Sequence, residues 1–280
     1  MGDPRLTPAR GDIAAKYLEG KVEADRFVDG ETFEVIETLA PLRDRPTGDA
    51  TLLTQALAGE RVTIYDRTDE GWAWGQLASD GYVGWLPDIG LAPPSVAPTH
   101  KVTAIRTFAF PGPSIKLPPV DAPVMGARLT VVREDGVFAV TPEGWYVPRR
   151  HLGALDDFET DFVAVAERFA GTPYLWGGKS GLGIDCSGLV QLSLQAAGMG
   201  CPRDSDMQQD ALGGARATNE WTGLQRGDLI FWTGHVAIAR DAETMIHANA
   251  HHMATVIENT RAAVARIKAA GSEIVAIKRL

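Results

Sequence analysis

The sequence predicts an α+β protein built from modules, two small all-β barrels followed by a mixed α+β domain. Three observations predict it. At 280 residues the chain exceeds one core of about 100–150 residues. Its first half carries short strand-like runs separated by turn residues. After about residue 156 the texture changes to longer amphipathic runs alternating with apolar strands.

Residues 1–38 read as an N-terminal extension, with a helix-like patch at Ile13, Ala14, Tyr17 and Leu18 and then an alternating strand-like run, FEVIETLAPL. From 39 to 92, RVTIYD, WAWGQLA and GYVGWLP are separated by PTGDA, DEG and SDG, the pattern of a small antiparallel barrel. Asp80-Gly81 marks a tight turn. The pattern recurs over 98–155: GERVTIYDRTDEGWAWGQLASDGYVGWLP is echoed by GARLTVVREDGVFAVTPEGWYVP, which indicates an internal duplication. GLAPPSVAPTH, rich in proline, links the two copies.

The remaining residues, 156–280, form the α+β domain. FVAVAERFAG has helical spacing that ends at Gly171. Asp185 stands as an N-cap before CSGLVQLSLQAAG, whose Leu189, Val190, Leu194 and Ala197 would line one face. DLIFW, HVAIAR, TMIHAN and IVAIKRL read as strands, with a hairpin through DAE.

The formal charge of -9 and the lack of a Lys/Arg-rich block argue against nucleic acid or an anionic membrane as partner. No run reaches the roughly 18 apolar residues of a membrane span, and the first residues carry no apolar leader core, so the expected location is cytoplasmic. Cys186 and Cys201 are too few for a disulfide scaffold, and thiols are expected.

YLWGGKSGLGIDCS, residues 174–187, offers two chemistries. A phosphate-binding loop needs a glycine where Pro173 stands, and Gly181 and Gly183 interrupt the helix that should follow. A nucleophile fits better: a cysteine at a helix N-terminus has its thiolate stabilised by unpaired N–H groups. His235, after Gly234, opens one strand, and His247 lies on the partner strand at the same parity, which makes a Cys, His, His constellation. The competing reading is structural, with a buried thiol and hydrogen-bonded strand histidines. His247, His251 and His252 cluster near two cysteines, but no zinc-ligand spacing is present, so no metal or other cofactor is expected.

GTPYLWGG, DCSGLVQ, RGDLIFW with GHVAI, and MIHA, in that order, resemble the NlpC/p60 family of cell-wall cysteine peptidases, a compact relative of the papain fold. The two barrels resemble bacterial SH3 domains, as in multidomain members. The resemblance implies Cys186 as nucleophile, His235 as general base, His247 as the residue that orients it, and Tyr174 with the Cys186 N–H as oxyanion hole. It further implies that Asp185, Ser187, Asp204 and Ser205 line the substrate groove, with capping a competing role for Asp185 and a turn for RDSD. Among the aromatics, Trp176 is a candidate groove wall. Tyr82 is expected where the first SH3-like domain closes the groove, and Glu60 and Asp49 are considered as its acidic partner.

The implied reaction is hydrolysis of the bond between γ-D-glutamate and a diamino acid, meso-diaminopimelate being favoured, in peptidoglycan stem peptides. A closed groove would restrict it to peptides with an unblocked N-terminal L-Ala, as in wall recycling. The alternatives are a cell-wall peptide-binding module without turnover, and a thiol-dependent amidase or acyltransferase of the same fold.

Overall fold

In RVTIYDR the apolar Val62 and Ile64 alternate with residues that reach solvent, and the pattern builds one strand of an antiparallel sheet. The computed structural model describes residues 2–94, 96–218 and 223–280, and the chain divides into two units, Met1–Leu155 and Asp156–Leu280. The first sheet comprises β1 (Glu31–Val35), β2 (Leu39–Arg43), β3 (Leu52–Leu57), β4 (Arg61–Arg67), β5 (Trp72–Leu77), β6 (Val83–Pro87) and β7 (Leu91–Ala92), in the order β3-β2-β6-β5-β4-β1-β7. Register shifts at Leu42/Arg43 and Ile64/Asp66 bend the strands around a core of Val35, Leu42, Val62, Ile64, Leu77 and Leu86. Gly81 takes φ +77° in the turn between β5 and β6, a conformation that suits glycine.

Two expectations change here. FEVIETLAPL is two strands, β1 and β2, rather than one, and β1 pairs with both β4 and β7, so it belongs to the barrel sheet and not to an extension. The helix-like patch is instead a two-residue strand, Ala14–Ala15, paired parallel to Phe27–Val28, followed by a 3-10 turn at Lys16–Leu18. The backbone of Ala14 and Ala15 is committed to pairing, and Gly20 at φ +78° ends the turn.

The N-terminal segment lies on the aromatic face of the first sheet. Ile13 is buried with Trp74, Val83 and Trp85. The Arg10 guanidinium stacks 4.5 Å from the Trp74 ring and 4.8 Å from the Trp85 ring. It also donates to Asp12 at 2.8 Å and to Asp66 at 2.5 Å.

Residues 98–155 carry two three-stranded antiparallel sheets. One joins His100–Val102 to Arg128–Leu129 and Leu152–Ala154, and the other joins Arg133–Asp135, Phe138–Val140 and Tyr146–Pro148. Phe110, Phe138 and Tyr146 meet edge to face in this region, with ring centroids 6.3 and 5.9 Å apart.

The second unit is α+β. Its helices are α1 (Phe162–Glu167), α2 (Cys186–Ala196), α3 (Ser205–Ala211) and α4 (Thr260–Ala269). Its antiparallel sheet comprises β8 (Gly214–Arg216), β9 (Leu229–Trp232), β10 (His235–Ala239), β11 (Thr244–Asn249), β12 (Ala254–Asn259) and β13 (Ala276–Arg279), in the order β8-β13-β9-β10-β11-β12. The hairpin of β10 and β11 through DAE forms as read from the sequence. α2 is buried all round from Cys186 to Leu194 rather than along one face, because β10, β11, α1 and α3 all pack against it. No helix among the described residues is long and apolar enough to cross a membrane.

Candidate active site

Asp185 starts α2. Its backbone is extended, and its Oδ1 accepts from the Gly188 N–H at 2.7 Å, an N-cap that fixes where the helix begins and therefore where Cys186 sits. The preceding loop approaches so closely that a Cβ on Gly188 would lie 2.3 Å from the Gly178 carbonyl oxygen. The glycines of LWGG answer to the backbone and not to a phosphate: Gly177 takes φ +73°, and a Cβ on Gly178 would lie 2.5 Å from the Gly183 carbonyl oxygen. Lys179 is buried in a two-residue strand paired with Gly183–Ile184.

Arg203, at 1% exposure, underpins the cap. Its Nη1 donates to Asp185 Oδ1 at 2.9 Å and to Ser187 Oγ at 2.9 Å, and its Nη2 to Asp185 Oδ2 at 2.7 Å and to Gly178 O at 3.2 Å. Asp185 Oδ2 also accepts from the Gly177 N–H at 2.8 Å. With Gly188, Ser187 and both arms of Arg203 added, the roughly four lone-pair sites of a carboxylate are filled within the domain. Asp185 is thus held as cap and ion-pair partner. Sequence reasoning missed Arg203, since nothing in RDSD signals a buried guanidinium.

The Cys186 thiol is buried where α2 packs on β10, with the backbone of Val236, the residue after His235, close enough to lower its pKa. Burial first, and the Asp185 charge second, push the thiol up to about 12; the Val236 N–H and the Arg203 charge oppose them. His235 and His247 come together as their parity requires: Ile238 pairs with Ile246 and Ala239 with Met245, and His235 Nε2 lies 2.8 Å from His247 Nδ1. Burial, then the nearby His247 and the Arg266 charge, lower His235 to about 3. At rest the thiol and the imidazole are therefore both neutral.

The chain of contacts continues beyond the expected residues. His247 Nε2 lies 2.6 Å from Glu258 Oε1, and Arg266 Nη2 donates to the same oxygen at 2.5 Å. Burial pushes Glu258 up, but the His247 hydrogen bond and the Arg266 charge outweigh it and hold the carboxyl below its usual range. His247 is lowered, burial outweighing Glu258.

Tyr174 is half-buried near the thiol, and burial with the Cys186 and Asp185 charges raises its hydroxyl to about 12, so it stays a donor. Asp204 and Ser205 open α3 rather than forming a turn; Asp204 is its N-cap residue, and both are partly exposed. Trp176 is 64% exposed and open to a ligand, whereas Trp232 is buried in the sheet core. Tyr82, expected at a groove mouth, is 3% exposed in the core cluster of the first sheet. Glu60 is buried, accepting from Ser79 Oγ and from the Leu57 N–H at 2.9 Å, and Asp49 bonds to Thr47 on the surface. His251 and His252 stack edge to face at 4.7 Å, and among the described residues no group of three or more His, Cys, Asp or Glu side chains is placed to hold a metal.

Comparison with known proteins agrees with this geometry. The family model "NlpC/P60 family" matches residues 171–268, and "Bacterial dipeptidyl-peptidase Sh3 domain" matches 42–91. A gamma-D-glutamyl-L-lysine dipeptidyl-peptidase of Bacillus cereus is 31% identical over 231 residues, 70% of this chain and 67% of that protein. Dipeptidyl-peptidase 6 of Lysinibacillus sphaericus is 28% identical over 240 residues, 77% of this chain and 86% of that protein. The crystal structure of a Bacillus cereus NlpC/P60 family protein superposes with a TM-score of 0.75 at 24% identity, covering 89% of this chain and 99% of that one, which speaks to the fold. A first barrel of SH3 type and a second unit with a buried thiol beside paired histidines fit one assignment: the chain belongs to the NlpC/P60 family of peptidoglycan peptidases.

Proposed function

We infer that the chain is a cysteine peptidase that hydrolyses the γ-D-glutamyl bond to a diamino acid in peptidoglycan stem peptides. The observation that carries this reading is Cys186 at the start of α2, on the helix packed against β10, whose His235 bonds to His247. Cys186 Sγ would attack the γ-glutamyl carbonyl carbon as its proton passes to His235, forming the S–C bond. The oxyanion would be met by the Cys186 N–H and the Tyr174 hydroxyl. His235 would then give the proton to the departing amine as the C–N bond breaks, and water would release the acyl group. Ser187, Asp204, Ser205 and Trp176 are the proposed substrate contacts.

Residues 98–155 are proposed as a second SH3-like module and 156–280 as the peptidase domain. The Bacillus cereus relative is named for lysine as the diamino acid. Meso-diaminopimelate is our favoured residue here, and unblocked L-Ala peptides from wall recycling are the proposed substrates. The test compares L-Ala-γ-D-Glu-lysine, its meso-diaminopimelate counterpart and the N-acetylated forms, with wild type and Cys186→Ala. Cleavage of the unblocked peptides, lost in the variant, is expected. Binding without cleavage by wild type would instead favour a peptide-binding module, and acyl transfer to an added amine in preference to water would favour a transferase.

A further inference from the structure

A histidine can orient a general base only if its own protons are in the right place. His247 contacts His235 through Nδ1 and Glu258 through Nε2. An ionised carboxylate only accepts, so the proton of neutral His247 must sit on Nε2, leaving Nδ1 bare. A bare Nδ1 accepts in turn from His235 Nε2–H, and this leaves His235 Nδ1 unprotonated, the one ring nitrogen able to take the thiol proton. The direction of every hydrogen bond in the row is therefore decided at Glu258.

We propose that Glu258 is a positioning residue for the Cys186–His235 pair, its carboxylate fixing the tautomer of His247 and, through it, that of His235. The sheet builds the contact. Met245 pairs with Glu258 and His247 with Val256, so Glu258 sits diagonally across from His247 on the same face. Arg266, on α4, donates to the same carboxylate oxygen and favours its ionised form. The charged or titratable groups facing Glu258 are His247 from β11, Arg266 from α4 and His252 from the turn before β12.

Removing the carboxylate does more than delete a contact. Arg266 would then face His247 Nε2 with only donors, which favours the tautomer protonated on Nδ1. His235 Nε2 would have to accept, its proton would move to Nδ1, and an N–H would stand where the thiol proton must go. A wrong tautomer in a comparable Ser-His-Asp arrangement costs about 10⁴ in kcat.

The inference rests on the reading of Cys186 as nucleophile, and the experiment separates the two. Glu258→Leu is expected to lower kcat at least about 100-fold with KM within about twofold, and Glu258→Gln, which retains an acceptor, to lose about 10-fold. Alkylation of Cys186, followed by peptide mapping across a pH series, is expected to slow in parallel. Glu258→Leu with activity within about threefold of wild type, while Cys186→Ala is inactive, overturns this inference alone. Full activity in Cys186→Ala overturns both. Should Glu258→Leu not fold, nitrogen-15 NMR of the unsubstituted protein decides: His247 protonated on Nε2 at neutral pH is expected, and protonation on Nδ1 overturns the proposal.

Discussion

Replacing Arg203 by Met tests how the nucleophile is held. The side chain is 1% exposed and donates to Asp185 twice, to Ser187 and to Gly178. Without it, the Asp185 carboxylate stays buried with its cap intact but its counter-charge gone. Breaking a buried ion pair from one side costs about 3–5 kcal/mol. For a unit the size of Asp156–Leu280 that corresponds to a drop in Tm of about 10–20 °C. Removing the charge as well, in Arg203→Met/Asp185→Asn, should recover at least about 1.5 kcal/mol, because no naked carboxylate remains. The same change should move thiol reactivity: Asp185 raises the Cys186 pKa and Arg203 lowers it, so alkylation in the single variant should need higher pH than in wild type. Calorimetry reads the C-terminal transition and iodoacetamide labelling the thiol. A Tm loss under about 4 °C, or a double variant no more stable than the single one, would refute the reasoning.

Two further outcomes follow from geometry and titration. Gly188→Ala would place a Cβ 2.3 Å from the Gly178 carbonyl, between two backbones that cannot yield, and should destabilise the second unit by about 1–3 kcal/mol by urea unfolding. His235, His247 and Glu258 all have folded pKa values below their unfolded ones, so the unfolded chain binds more protons in acid. Stability from these groups is complete above about pH 6.5, is lost as pH falls toward the His235 value of about 3, and should show as a falling Tm that His235→Gln flattens.

What was legible in the sequence is what depends on near neighbours. Asp185 before CSGLVQ announces a cap and a helix start, and that alone puts Cys186 in the first turn. The separation of twelve from His235 to His247 gives equal parity on paired strands, and the hydrogen bond follows. Glu258 escaped because ATVIEN mixes buried with exposed side chains, Ile257 among the latter, and because its value lies in a diagonal contact that a one-dimensional pattern does not encode. Asn259 as a cap and the apolar Ala263, Val264 and Ile267 were signals from which α4 could have been read. Arg203 had no such signal, since its burial is decided by α2 and the glycine loop together. FEVIETLAPL hid the break between two strands, because the chain bends at 36–38 without a glycine or proline to mark it.

The Arg10 stack has a consequence for recognition. SH3 barrels dock proline-punctuated peptides in aromatic-lined grooves, and here the indoles of Trp74 and Trp85 are covered by Arg10, the last residue of PRLTPAR, a segment with two prolines. A ligand tethered in cis competes at an effective concentration of order millimolar. A peptide arriving in trans at these two indoles would have to displace a guanidinium anchored on Asp12 and Asp66.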